Sequence, residues 1–202
     1  MSDNLIEQLT VDDPADAGAV STLRERLAGA ASAQGLVDVA FRTVETPVGA
    51  LLVAATETGV VRIAYPAEGH EAVLKSLSLT IGSRVLRDTR RFDDLCRQLD
   101  GYFSGRRRHF EVPLDLRLAH GFRLEVLAHL RTIAYGATET YAVAAAASGR
   151  PRAVRAVGTA CATNPLPLLV PCHRVVRSDG TMGGYLGGLE AKRFLLDLEA
   201  AA

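Results

Sequence analysis

The sequence predicts an α/β (α+β) chain. A small N-terminal domain with an antiparallel β meander and helices precedes a mostly helical domain with a helix-turn-helix. Three observations lead there. Between Leu36 and Tyr65 short β-branched runs alternate with turn residues. Beyond residue 119 apolar side chains recur at helical spacing. Between the two lies the polar stretch SGRRRHFEVPLDLRLAHG, which reads as a linker. A chain of 202 residues accommodates one large domain or two small ones, with a proper core in either case. The boundaries are set at 1–35 for an N-terminal extension, 36–118 for the α/β domain and 119–202 for the helical domain.

Residues 1–35 are rich in Ala, Asp and Gly. Val20 to Ala31 suits a short helix with Leu23 and Leu27 on one side, and partial disorder is expected around it. In the meander, VDVAFRTV alternates, GALLVAAT follows, and VVRIAY comes after a turn containing Gly59. His70 to Leu79 reads as a helix. In RRFDDLCRQLDGYF, Phe92, Leu95, Cys96, Leu99 and Phe103 share a helical face, so Cys96 is expected to be a small buried core residue. Arg106–Arg108 reads as a solvated turn, with phosphate contact as the competing use.

Past the boundary, Phe122 to Ala134 places Phe122, Val126, Leu127, Leu130 and Ile133 on one face. YGATETYAVAAAASG predicts a second helix, capped by Thr138 or Thr140 and stopped at Gly149. RPRAVRAVGTACATNP predicts a third, with Pro151 in its first turn and Asn164–Pro165 ending it. A turn of about three residues containing Gly would make these two a helix-turn-helix. PLPLLV reads as a short buried segment, SDGTMGGYLGG as a glycine-rich loop and LEAKRFLLDLEA as a closing amphipathic helix.

Hydrophobic residues make up 48% and charged residues 23%, the balance of a soluble globular chain. No apolar run approaches the roughly 20 residues that cross a bilayer, so no membrane partner is expected. The acidic start MSDNLIEQLTVDDPADAG lacks the parts of a secretory signal, and the expected location is cytoplasmic. Cys96, Cys161 and Cys172 are three, far apart, and unsuited to a disulfide framework. No C-x-x-C or H-x-x-x-H pair suggests a zinc site, and the adjacent Cys172–His173 is a poor chelating spacing. Net charge is zero, yet 1–118 hold 14 Lys/Arg against 17 Asp/Glu (−3) and 119–202 hold 9 against 6 (+3). A polyanion would meet the second half.

Three constellations carry chemistry. In PLLVPCHRVVRSDG, Cys172 stands beside His173. A thiol titrates near pH 8.5 and its thiolate is the nucleophile, so a histidine that takes the proton, itself backed by a carboxylate, would activate it. A buried inert cysteine beside a surface histidine is the competing reading. Arg152 and Arg155, with Arg150 upstream, share a face, and the small Ala153, Ala156 and Ala160 let the helix approach another surface closely; this suits a DNA groove or a plain solvated face. In GGYLGG the glycines allow close backbone approach to a flat ligand and Tyr185 could wall it; a flexible loop is the alternative.

The segment NPLPLLVPCHRVVRSDGTMGGYLGGLEAKRFLLDLE closely resembles the active-site segment of the O6-alkylguanine-DNA alkyltransferases, the methylated-DNA–protein-cysteine methyltransferases. Their signature is an (I/V)PCHR(V/I) core between an Asn-Pro turn and a GGY–GG loop. The similarity continues upstream through RAVGTA and YGATETYAVAAAASG and covers roughly 119–200. The resemblance implies a ribonuclease H-like first domain and a winged-helix-like second one. It implies that Cys172 accepts the alkyl group, that His173 takes the thiol proton through a water, and that Glu199 orients His173. Asn164 would tie the helix-turn-helix to the active segment. Tyr141 would contact the flipped base, and the Tyr185 hydroxyl would help stabilise the leaving guanine. Arg155 would be the finger that fills the vacated stack. Arg152, Ala153, Ala156, Gly158, Thr159, Cys161 and Arg174 would join it on the DNA-facing surface, and Val175, Gly184, Leu186 and Gly187 would line the substrate pocket.

The implied activity is a stoichiometric repair of O6-alkylguanine that needs no metal and no organic cofactor, with O4-methylthymine as a second substrate. The implied partner is double-stranded DNA, bound in the minor groove by a monomer, with cooperative binding left open. Two departures stand out. Leu186 occupies a place where relatives often carry Gly or Ser, so it either crowds the pocket or packs outward. Cys161, on the recognition helix where relatives carry bulkier residues, reads as a helix-packing residue, with a partly exposed second thiol near the DNA-facing stretch as the competing reading. Two other activities fit parts of the pattern. One is a lesion-binding module that does not react, against which Cys172 argues. The other is a Cys-His hydrolase, which would need an oxyanion hole and repeated turnover.

Overall fold

The computed structural model describes residues 14–201. The first 13 residues of the expected extension lie outside the described residues. From Pro14 onward the extension is one helix, α1 (Pro14–Ala33), longer than the Val20–Ala31 piece read from the sequence. It packs on the edge of the sheet with Ala28 buried, and Ser32 Oγ donates to Asp88 Oδ2 at 3.0 Å. Leu23 and Leu27 both face solvent.

The meander forms as expected. Strands β1 (Val39–Val44), β2 (Leu51–Ala55) and β3 (Val60–Ala64) pair antiparallel, with Phe41 opposite Ala54 and Val53 opposite Ile63. A fourth strand, β4 (Val85–Arg87), adds parallel to β1 and gives the order β3-β2-β1-β4. Because strand side chains alternate, the sheet is apolar on both faces. Val39, Ala54 and Val61 meet Leu77 of α2 (His70–Thr80) on one face. Ala40, Leu51, Val53 and Ile63 meet Leu95, Leu99 and Tyr102 of α3 (Asp93–Phe103) on the other. Cys96 is a correction: it lies half-buried at the rim of this core, not inside it.

The linker is pinned to the sheet. Val60 N donates to Pro113 O at 2.9 Å and Asp115 N to Val60 O at 2.8 Å. Gly59 (φ +155) admits this approach, since a Cβ there would stand 2.4 Å from Pro113 O. Arg107 donates to His109 O and pairs with Glu111, and the Arg108 guanidinium lies 5.8 Å from the Tyr135 ring centre, so these two arginines serve the fold.

Helices α4 (Phe122–Leu130), α5 (Tyr141–Ala147) and α6 (Val154–Ala162) pack together, and α7 (Gly188–Ala200) closes the chain. α4 stops at Leu130, short of Ala134, although Ile133 is buried beyond it. Thr140 caps α5, its Oγ1 accepting from Val143 N at 3.3 Å. Residues 148–153 connect α5 to α6, a longer turn than the one expected. Gly149 (φ +78) reverses the chain, and Ala153 N closes a turn onto Arg150 O around Pro151. Pro151 therefore lies outside α6, whose N-cap is Ala153.

One continuous core runs from Ala40 of the sheet through Leu127, Val157 and Leu166 to Leu195 of α7. Ile63 N donates to Pro165 O at 2.8 Å across it. No helix among the described residues is long and apolar enough to cross a membrane.

Candidate active site around Cys172

Every residue from Asn164 to Val176 is buried. Such a segment needs internal partners for its backbone polar groups. Asn164 supplies several at once. Its Nδ2 donates to Val170 O at 2.8 Å and to Cys172 Sγ at 3.2 Å, while its Oδ1 accepts from Leu166 N at 3.0 Å. The loop so clamped carries Leu168 at φ +73, a left-handed conformation rarely adopted by a branched apolar residue.

Cys172 opens a short 3-10 turn, Cys172–Arg174, and is 2% exposed. Burial pushes its thiol up to about 11, against the opposing pull of the Asn164 amide and the Lys192 ammonium. At pH 7 about one such thiol in ten thousand would be ionised, so the sulfur needs a base in step with any attack.

His173 is fully buried. Its Nε2 lies 2.9 Å from Glu199 Oε1. Burial would raise the Glu199 carboxyl, but hydrogen bonds from His173, Arg174 and Tyr102 hold it far below the usual carboxylate range. Arg174 grips it with two bonds, Nε to Oε2 at 2.8 Å and Nη2 to Oε1 at 2.9 Å; Gly136 N donates to Oε2 at 3.2 Å and the Tyr102 hydroxyl to Oε1 at 2.6 Å. An ionised partner fixes the imidazole proton on Nε2 and leaves Nδ1 as an acceptor. Nδ1 is buried and has no hydrogen-bond partner. Burial also lowers the pKa of His173, against the pull of Glu199, so the ring rests neutral and ready to take a proton.

The two-residue strands β5 (Glu139–Thr140) and β6 (Val175–Val176) pair in parallel, which ties the start of α5 to the Cys172 segment. Tyr141 is thereby held beside the glycine loop, where a Cβ on Gly183 would stand 2.3 Å from its hydroxyl. Tyr185 is half-buried. Its ring lies edge-on to His173 at 6.3 Å, and its hydroxyl is 2.9 Å from that of Tyr65. Gly187 leaves room for the Tyr65 ring, which a Cβ would meet at 2.5 Å, whereas Gly184 is open to solvent. Val175 is fully buried and its carbonyl accepts from Lys192 Nζ at 2.6 Å. Leu186 is half-buried, packs against the core cluster that contains Cys172, and lines a cavity of about 320 Å³ with Arg62, Leu118 and Asn164.

In the turn before α6 and on α6 itself, Arg152, Arg155, Ala156 and Thr159 are exposed, and Ala153 and Gly158 half-exposed. Neither Arg152 nor Arg155 has an ion-pair partner among the described residues, whereas Arg150 stacks 4.8 Å from the Phe122 ring centre and pairs with Glu125. Two expectations need correction. Cys161 is 5% exposed, on the core side of α6, where burial drives its thiol pKa upward. Arg174 is buried too. It turns inward to Glu199 and to Ile133 O at 2.6 Å, and so is not on the DNA-facing surface.

Sequence reasoning missed Lys192, Tyr65 and Tyr102. Lys192 is wholly buried on α7, which a charged residue in an amphipathic helix does not advertise. The tyrosines reach the site from the sheet-bearing half, 120 positions before Tyr185 and 97 before Glu199. Among the described residues no cluster of His, Cys, Asp or Glu is arranged to hold a metal ion.

A buried, base-backed thiol set beside the packed helices α4, α5 and α6 and braced by a small sheet domain defines the class of protein. Residues 121–201 match the model of the 6-O-methylguanine DNA methyltransferase DNA binding domain, and residues 30–116 match that of its ribonuclease-like domain. A Methanosarcina barkeri methylated-DNA–protein-cysteine methyltransferase is 38% identical over 162 residues, covering 79% of this chain and 96% of its own. The constitutive Bacillus subtilis protein of that name is 37% identical over 160 residues, with coverages of 79% and 94%. The crystal structure of Mycobacterium tuberculosis OGT in complex with DNA superposes with a TM-score of 0.70 at 36% identity, covering 80% of this chain and 93% of that one. The chain belongs to the 6-O-methylguanine DNA methyltransferase family, as the PCHR segment led one to expect.

Proposed function

We propose that this chain repairs double-stranded DNA by moving the alkyl group of O6-alkylguanine onto Cys172 Sγ, once per molecule. The observation that carries the reading is the buried His173 Nδ1, an acceptor without a hydrogen-bond partner on the residue that follows a thiol too weakly acidic to ionise unaided. The methyltransferase names of the relatives and the DNA complex of the Mycobacterium tuberculosis protein support it.

The chemistry balances as follows. The Cys172 proton passes through a water to His173 Nδ1, and Glu199 compensates the imidazolium. The sulfur lone pair forms the S–C bond as the C–O6 bond breaks, and the released electron pair remains on the base, whose O6 becomes a carbonyl oxygen. The base then takes up a proton from Tyr141 or Tyr185, and the proton that His173 borrowed restores that tyrosine's hydroxyl. The net change is thiol plus alkylguanine to thioether plus guanine. A thioether has no leaving path back, so the protein is spent.

The DNA-facing reading assigns the exposed face of Arg152, Ala153, Arg155, Ala156, Gly158 and Thr159 to the minor groove. Arg155 fills the gap left when the damaged base swings out, at a cost of a few kcal/mol for unstacking that weak pairing lowers. O4-methylthymine offers the same alkyl–oxygen bond and is the second substrate. We further infer a monomer acting in the cytoplasm.

The test is direct. The purified protein is incubated with a duplex carrying one O6-methylguanine and its intact mass is measured. A gain of one methylene, stopping at one per chain and mapping to Cys172, is expected. Repeated turnover, or methylation at another residue, would overturn the proposal.

A further inference from the structure

Glu199 stands on α7 and His173 on the turn after α6, but one group that holds the carboxylate comes from the other half of the chain. Tyr102, on the last turn of α3, is 1% exposed. Its ring stands edge-on to Phe103 and Tyr135, with centres 5.4 and 6.0 Å away. Its hydroxyl donates to Glu199 Oε1 at 2.6 Å, the oxygen that also faces His173 Nε2 at 2.9 Å.

We propose that Tyr102 is a positioning residue for alkyl transfer, through which the sheet-bearing half of the chain holds Glu199 Oε1 in register with His173. The proposal rests on the reading of His173 as the proton acceptor.

Several groups face this pair. Arg174 and Lys192 supply positive charge, Cys172 adjoins His173 in the chain, and Tyr102, Tyr135 and Tyr185 supply hydroxyls. Their hydroxyls differ in aim. That of Tyr135 lies 3.5 Å from Leu198 O and that of Tyr185 meets Tyr65, so Tyr102 is the one that reaches Glu199. Burial and the neighbouring carboxylate raise the Tyr102 pKa, which keeps it a donor at all working pH. A hydroxyl bond to an ionised oxygen is short and charge-assisted. Because it shares Oε1 with the imidazole, it also draws density from that oxygen and tempers the hold of Glu199 on a protonated His173.

Tyr102→Phe tests this while keeping the ring in its cluster. Single-turnover transfer from a duplex with one O6-methylguanine is followed between about pH 5 and pH 9. Freed of one donor, Glu199 should stabilise the protonated His173 more strongly. The acid limb should move up by about half a unit or more, and the plateau should slow several-fold. The proton resonance on His173 Nε2 should shift as well. Tyr135→Phe removes a hydroxyl from the same cluster without touching Glu199, and its acid limb should coincide with wild type. If the Tyr102→Phe limb and resonance also coincide with wild type, Tyr102 is only a packing residue. Glu199→Gln separates that outcome from a deeper failure. Lost transfer in Glu199→Gln beside a normal Tyr102→Phe sinks the positioning role alone. A wild-type profile in Glu199→Gln sinks the His173 reading with it.

Discussion

Asn164 Nδ2 bonds both the Val170 carbonyl and Cys172 Sγ, so one amide ties the loop after α6 to the sulfur. Asn164→Ala would leave Leu166 N buried without its partner, at about 1–3 kcal/mol, while Val170 O keeps the bond from Cys172 N at 2.8 Å. Asn164→Asp keeps the Oδ1 acceptor for Leu166 N but sets a carboxylate beside the sulfur. We expect it to cost more than about tenfold in transfer rate, since one pKa unit on the thiol is already tenfold in thiolate. Single-turnover kinetics beside thermal melting separate the two effects. Undiminished transfer in Asn164→Asp would remove the role given to this amide.

The raised Cys172 thiol also affects stability. Its folded value of about 11 lies above the ordinary value of a free thiol, 9.0. Below pH 9 the thiol is protonated in both states and its contribution is complete. As pH climbs toward 11 the unfolded chain ionises first, and the folded state loses ground. Wild type should therefore lose about 2–3 kcal/mol relative to Cys172→Ala over that window. Urea unfolding of both proteins at pH 8, 9.5 and 11 reads the difference; parallel curves would show a thiol that burial does not hold up.

Arg155 and Arg152 are both exposed and unpaired but should behave differently. Arg155→Ala is expected to slow repair in a duplex by tenfold or more while leaving reaction with free O6-benzylguanine nearly unchanged, because the finger acts only on a stacked base. Equal losses on the two substrates would retire the finger assignment. Arg152→Ala should weaken duplex binding regardless of lesion and reduce the salt dependence of log K by about one.

The glycines of the loop are not equivalent. Gly183→Ala puts a methyl group 2.3 Å from the Tyr141 hydroxyl and should displace that ring, lowering the rate with free O6-benzylguanine several-fold. Gly184→Ala meets no atom within 4 Å and should react at the wild-type rate. Matching rates in both variants would detach Tyr141 from base recognition.

Much of this molecule is legible in its residues because local periodicity is a local fact. Alternation marked β1 to β3, and helical spacing marked α2, α3 and α7. The PCHR segment located Cys172 and His173. What stayed hidden depends on partners remote in sequence or on side-chain direction. Strand β4 spans only Val85–Arg87, too short to show a period. Pro151 looked like a helix start, but the turn set by Gly149 consumes it first. Arg174 follows Cys172 and His173 so closely that a shared surface was natural to assume; on a 3-10 turn successive side chains point about 120° apart. Lys192 and Tyr102 acquire meaning only when the fold brings Val175 and Glu199 to them.

The apolar interior that joins the sheet to α4–α7 bears on how the molecule comes apart. Two family models divide the chain at a polar linker, yet the interior does not divide there. Cutting the chain near residue 118 would lay open a hydrophobic wound on each fragment. Heat should therefore melt the whole as a single cooperative transition, with calorimetric and van't Hoff enthalpies in agreement. A seam visible in the sequence would then be silent in the calorimeter, because the two halves share one interior.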